Sequence, residues 1–278
     1  MSNPMFYVNP IPLSTAAHRN LKVKPSDDGW KFSGKTNSVL LAGTEFPEAC
    51  KHFPIVFAKV SEKQVLPMAL LGFRDFENLF VDSGGRWLGE YVPAYIRRYP
   101  FLLSQGGNSD VLTVCIDESY PGFGADEGQP LFDQDGESTA YLKEVIKFLQ
   151  DYHVQLQRTD VFLRNLAEFD LLTDAAANAA LPDGQRYSMT GLMTVDERKL
   201  QLLPDDQVQR LFRSGEMAWI YSHLISLGNF SRLVSKAASP EAAAASPDKN
   251  SAASKAAPLA RPAPARKNPE PAQPTARK

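Results

Sequence analysis

The sequence predicts an α+β fold: a mostly antiparallel sheet from the N-terminal half, with helices and a late hairpin from the C-terminal half. Three observations carry this. Short β-rich runs crowd residues 54–117. Helical periodicity sets in only after residue 138. The two kinds of element are segregated rather than alternating, which disfavours a doubly wound parallel sheet.

Taken in order, Glu48, Ala49, Cys50 and Lys51 close a short helix after Phe46-Pro47. Residues 54–60 and 65–73 read as strands joined by the polar Ser61-Glu62-Lys63-Gln64, a hairpin turn. Residues 78–81 continue the strands, and Asp82-Ser83-Gly84-Gly85-Arg86 turns the chain again. Pro93 opens a helix over residues 93–99 that Pro100 ends. Residues 111–117 are a continuous apolar run of strand length, as expected of a central strand.

Leu142, Val145, Ile146, Leu149, His153 and Leu156 repeat with helical spacing over residues 138–157. Thr159 or Asp160 is then expected to cap a separate helix carrying Val161, Leu163, Leu166 and Phe169. An Ala-rich stretch breaks at Pro182-Asp183-Gly184. Residues 186–195 and 199–203 look like a hairpin around Asp196-Glu197-Arg198. Asp205 or Asp206, after Pro204, opens the last helices, and Gly228-Asn229 punctuates them before residues 230–236. Leu211, Met217, Ile220, Leu224 and Leu227 supply their apolar residues.

The 278 residues divide into two materials. Residues 237–278 hold 15 Ala and 8 Pro but one larger apolar residue, Leu259. Such a stretch cannot bury enough surface to offset its ordering entropy. The expectation is one globular domain over residues 1–236 and a disordered, Ala/Pro-rich, basic tail. The net charge of −2 conceals this division, because the tail carries 7 Lys/Arg against 3 Asp/Glu and the remainder 23 against 29. An acidic body argues against nucleic acid as partner, since phosphate binding needs a basic face. No basic n-region precedes an apolar stretch at the start, and no apolar run is long enough to span a bilayer. The reading is cytoplasmic, without a transmembrane segment. Cys50 and Cys115 form no C-x-x-C pair and suit a reducing compartment.

Motifs of catalysis are weak. Pro121-Gly122-Phe123-Gly124-Ala125-Asp126-Glu127-Gly128 lacks the Lys and Ser/Thr of a phosphate loop, and a mobile loop between strand and helix explains it. Asp133-Gln134-Asp135-Gly136-Glu137 lacks calcium-loop spacing and reads as a turn into a helix, where Glu137 complements the dipole. His18, His52, His153 and His223 show no metal-ligand spacing with a carboxylate. No nucleophile elbow is present. Neither a metal nor a cofactor is expected.

The richest segment runs from Trp87 to Phe101, with five aromatics and the adjacent Arg97 and Arg98. On a helix Tyr95 and Tyr99 share one face. Arg and aromatic residues make binding hot spots, and a guanidinium takes a carboxylate bidentately. The candidate binding residues are Trp87, Tyr91, Tyr95, Arg97, Arg98, Tyr99, Asp117 and Glu118, together with the loop over residues 118–137. The competing reading has the aromatics filling the core and an arginine paired internally with Asp117 or Glu118.

Several runs resemble the bacterial SapC family. They are His52-Phe53-Pro54-Ile55-Val56-Phe57, Leu70-Leu71-Gly72-Phe73 with Asn78-Leu79-Phe80, and Tyr91-Val92-Pro93-Ala94-Tyr95-Ile96-Arg97-Arg98-Tyr99-Pro100-Phe101. Cys115-Ile116-Asp117, Leu131-Phe132 after Gly128, and residues 220–227 look like it too. The resemblance runs over residues 5–236 and leaves the tail outside. It implies a context: a locus for surface-layer protein secretion, and relatives encoded near TonB-dependent receptors, halogenase-like and cupin-like proteins. It carries over no catalytic residues. The expected function is a non-catalytic accessory protein that binds a protein or peptide partner. The alternatives are a metal- or flavin-linked oxidative modifier of peptides, which needs His52, His153, His223 and Asp117 to converge, and a small-molecule sensor with a pocket under the loop.

Overall fold

The computed structural model describes residues 4–61, 64–105, 111–180 and 186–238. The chain begins with β1 (Pro10–Pro12), α1 (Thr15–His18), β2 (Lys22–Val23) and β3 (Ser38–Leu40). Then come α2 (Phe46–Ala49), the paired β4 (Ile55–Ser61) and β5 (Gln64–Leu70), and the one-turn α3 (Ala94–Arg97). Next are β6 (Phe101–Gln105), β7 (Leu112–Asp117), β8 (Phe123–Gly124) and β9 (Gln129–Pro130). The long α4 (Ala140–Glu168) leads to β10 (Leu172–Ala180) and β11 (Arg186–Val195). Four helices follow: α5 (Glu197–Gln201), α6 (Asp205–Arg213), α7 (Glu216–Ser226) and α8 (Asn229–Ala237).

The strands form three antiparallel sheets, ordered β10-β11-β4-β5-β3, β1-β7-β6 and β8-β2-β9. The α+β class is therefore what the structure has. β7 is central, as its continuous apolar run predicts, but in the smaller sheet that zips the N-terminal arm to β6. β4 and β5 pair as expected, with Ser61 opposite Gln64, while Glu62 and Lys63 lie outside the described residues.

The main core lies where the five-stranded sheet meets α2, α4 and α7. Phe46, Phe53, Phe57 and Phe162 are solvent-free there, and Trp219 packs edge-on to Phe162 at 5.3 Å. Each such side chain stabilises the fold by about 1.5–3 kcal/mol through removal of apolar surface from water. A satellite core of Phe101, Ile116, Leu131 and Leu142 joins the three-stranded β6–β7 sheet to the start of α4.

Four sequence expectations are corrected. The two helices expected over residues 138–169 are one helix. Thr159 does not cap: its hydroxyl donates to the Gln155 carbonyl at 2.7 Å and accepts the Gly43 amide at 2.8 Å, so the helix runs through it. Residues 78–81 are not a strand, because Asn78 bends the chain. Its side chain accepts the Phe80 amide and donates to the Ser33 carbonyl. The late hairpin is β10 with β11, not residues 186–195 with 199–203. The Ala-rich stretch supplies the missing strand, and Asp196 caps α5 by accepting the amides of Arg198 and Lys199. The loop over residues 118–137 is not open. β8 and β9 in it both pair with β2, and Lys24 meets Glu127 at 3.0 Å.

Two of its glycines are explained by that closure. A side chain at Gly122 would meet the Lys24 carbonyl, and one at Gly128, which has φ +110°, the Val23 carbonyl. Residues 133–137 form the expected turn, with Asp133 accepting the amides of Asp135 and Glu137. Glu137 itself precedes the Thr139 cap and is not in the first turn of α4. Pro204 and Gly228 stand at the N-termini of α6 and α8 as read from sequence, and α8 extends one residue past the expected boundary to the buried Ala237. Pro182-Asp183-Gly184 and residues 239–278 lie outside the described residues.

Candidate functional site

The segment from Trp87 to Phe101 is organised by a residue far from it in sequence. Glu45 is buried, and its carboxylate accepts the Ala94 amide at 2.7 Å, the Tyr91 hydroxyl at 2.7 Å and the Ala42 amide at 2.9 Å. It thereby starts α3 at its N-terminus, where the helix dipole favours negative charge. Burial pushes the Glu45 carboxyl up in pKa despite these three donors and the charge of Arg97. Trp87 Nε1 donates to the Tyr91 carbonyl at 3.0 Å, and the His52 ring lies nearly parallel to Tyr91 at 6.4 Å.

Because α3 has only one turn, its side chains diverge. Tyr95 points into the core and is 2% exposed, whereas Arg97 is exposed. Arg97 Nε donates to the Val92 carbonyl at 2.9 Å, and the guanidinium sits over the rings of Phe148 at 5.2 Å and Tyr91 at 6.0 Å. Arg98 turns the other way. Its guanidinium lies 4.0 Å from the Tyr95 ring centroid, 5.6 Å from Tyr7 and 5.9 Å from Tyr152. Tyr99 is beyond the helix, stacked on Phe32 at 4.2 Å. The expectation that Tyr95 and Tyr99 share a helix face is therefore corrected, since the helix ends at Arg97.

Asp117, at the end of β7, is solvent-free and holds the N-terminal arm. It accepts the amides of Val8 and Asn9, each at 2.9 Å, and the hydroxyls of Ser119 at 2.7 Å and Tyr99 at 3.3 Å. Burial pushes this carboxyl up, but the amides of Val8 and Asn9 with Ser119 outweigh it and leave it below the usual carboxylate range. Glu118 is exposed and accepts the Asn9 side-chain amide at 2.8 Å.

The eight predicted residues thus fall into two groups. Trp87, Tyr91 and Arg97 form an outer face. Tyr95, Arg98, Tyr99 and Asp117 form an inner cluster under the arm, with Glu118 at its surface end. Neither arginine pairs with Asp117 or Glu118, and no ion pair among the described residues engages Arg97 or Arg98. Sequence reasoning missed Glu45, Tyr7, Phe148 and Tyr152. All four reach the segment from other elements, and nothing local marks them.

The histidines and Asp117 do not converge. His223 is solvent-free. Its Nδ1 donates to the Ile55 carbonyl at 2.9 Å and its Nε2 accepts the Val195 amide at 3.1 Å. That makes it a neutral cross-link between β4, β11 and α7, and burial pulls its pKa down to about 4. His153 is part-exposed on α4, within 3.2 Å of Gln157. Among the described residues no three His, Cys, Asp or Glu are grouped to hold a metal ion. Burial pushes both cysteine thiols up, toward the unreactive form.

The SapC family model matches residues 13–233. The chain belongs to the SapC family. Comparison with curated proteins and with solved structures gave no match. The SapC match takes in the outer face, α3 and Asp117, and it leaves out residues 4–12, which cover Arg98, as well as everything after residue 233. Among the described residues of this SapC chain, no helix is long and apolar enough to cross a membrane.

Proposed function

We propose that this chain is a cytoplasmic, non-catalytic accessory protein of a surface-layer secretion or outer-membrane uptake system. It captures a protein or peptide partner on the face carrying Trp87, Tyr91 and Arg97. SapC membership supports the context, in which a TonB-dependent receptor or a halogenase-like protein is a candidate partner. The observation that carries the surface reading is Arg97. Its guanidinium is exposed, fixed by the Val92 carbonyl over Tyr91 and Phe148, and without an ion-pair partner among the described residues. A pre-oriented arginine on an aromatic bed offers its remaining N–H groups to an acidic partner at a reduced entropic cost.

Affinity capture from native lysate followed by mass spectrometry tests the reading, with wild type beside Arg97→Glu. The variant loses one or more captured partners while its unfolding midpoint stays that of wild type, since Arg97 lies at the surface. Identical capture by both proteins would refute the role of this face. The comparison is run with and without residues 239–278, whose basic charges add their own electrostatic attraction.

A further inference from the structure

Among the described residues, the buried side-chain nitrogen and oxygen atoms that lack a hydrogen-bond partner are three: Arg98 Nε, Tyr95 Oη and Tyr152 Oη. They are contributed by α3, the residue following it and α4, and the Arg98 guanidinium brings them together, lying over the rings of both tyrosines. The Tyr95 hydroxyl stands beside that guanidinium. Unpaired buried polar atoms are rare and costly, and three of them around a single cation need a reason.

All three groups can donate, and no ion pair among the described residues engages the cation. Two buried carboxylates lie near, Glu45 with its field on Tyr152 and Asp117 with its field on Tyr7, and both are already engaged. Glu45 is taken by Ala42, Tyr91 and Ala94, and Asp117 by Val8, Asn9, Tyr99 and Ser119. The cluster therefore offers an N–H edge and two O–H groups with no free carboxylate to receive them. Arg98 itself remains part-exposed, so the sealed donors lie close beneath the surface.

We propose that Arg98, Tyr95 and Tyr152 form a binding site for one carboxylate group of a ligand, received by the Arg98 guanidinium and the two phenolic hydroxyls. A carboxylate carries one negative charge for one unpaired cation, and its lone pairs suffice for all three donors. A phosphate would bring close to two charges into surroundings that already hold Glu45 and Asp117. The carboxylate comes either from a free organic acid or from the C-terminus of a peptide. The site is separate from the Arg97 face and stands whether or not that face captures a partner.

Calorimetric titration and thermal unfolding of the full chain distinguish these sources. The probes are sodium benzoate against benzamide, and acetyl-Gly-Gly against its C-terminal amide, at constant ionic strength. The acids bind saturably and raise the unfolding midpoint, and the amides do not. A response to benzoate assigns free acids, and a response to the peptide acid alone assigns a chain terminus. The Tyr95→Phe, Tyr152→Phe double variant binds the acid roughly tenfold or more weakly, having lost two hydrogen bonds to a charged group. Its own unfolding midpoint equals or exceeds that of wild type, because the hydroxyls removed have no partner in the unliganded fold. No saturable binding by either acid, equal affinity in the double variant, or a destabilised double variant would each overturn the proposal. The last result would show that the hydroxyls are already needed by the fold itself.

Discussion

His223 Nδ1 donates to the carbonyl of Ile55, 168 residues earlier, and the bond ties α7 to the first residue of β4. The other ring nitrogen accepts the Val195 amide, so protonation at Nε2 removes an acceptor from a solvent-free site. The folded chain keeps this ring neutral down to about pH 4, whereas in the unfolded chain it protonates near its ordinary 6.5. Between those values the unfolded state binds more protons, and stability falls as pH falls. The contribution is complete above about 6.5 and declines by on the order of 3 kcal/mol on reaching 4. Denaturant unfolding across this range, compared with His223→Gln, checks it. The variant is less stable at pH 7, and the wild-type-minus-variant difference shrinks on acidification. A difference that stays constant with pH would show that this ring does not carry the dependence.

Asp117→Asn tests the clamp on the N-terminal arm. An amide side chain has one acceptor oxygen where the carboxylate has two, and here the two oxygens separately take the amides of Val8 and Asn9. Loss of one charge-assisted bond, with an N–H₂ turned toward a donor, costs about 2–4 kcal/mol. The contribution of the carboxylate is held above its ordinary pKa and lost as pH falls through the lower folded value, so the variant approaches wild type only in strong acid. Equilibrium unfolding gives the cost. Hydrogen exchange at Val8 and Asn9 reports whether the arm opens first, as a clamp requires. Unchanged exchange there would assign the loss to the β7 end alone.

Much of the fold was legible where local chemistry and tertiary packing agree. The β4–β5 pair follows from two apolar runs around a polar turn, and α6 and α8 follow from Pro204 and Gly228. It was illegible where they disagree. Alanine favours helix, yet residues 175–180 pair with β11 because Leu172 and Val195 anchor the register in the core. Thr159 is a capping type, but its hydroxyl bonds back to Gln155 and leaves α4 unbroken. At the site, the residue types from Trp87 to Tyr99 pointed to the right segment. Their division into an outer face and a buried cluster depended on Glu45, 49 residues before Ala94, ending up beneath the α3 N-terminus. No periodicity encodes such a pairing.

The junction between α2, α4 and α7 rests on a residue with no side chain. A Cβ on Gly43 would stand 2.3 Å from Cε3 of Trp219, and the Gly43 amide is committed to Thr159 on α4 at 2.8 Å. Backbone and indole therefore cannot both keep their places in Gly43→Ala. The Trp219 ring is packed edge-on against Phe162 and also contacts Phe46, so displacing it disturbs the main core. Overpacking of this kind costs about 1–3 kcal/mol. The expected result is a lowered unfolding midpoint with an altered tryptophan emission, because the indole, 7% exposed in the native fold, has to move. Adding Trp219→Phe makes room at the clash. In that background Gly43→Ala costs clearly less than in wild type, a coupling measurable by a double-mutant cycle. Equal costs in the two backgrounds would show that the glycine serves the turn before α2 rather than the indole.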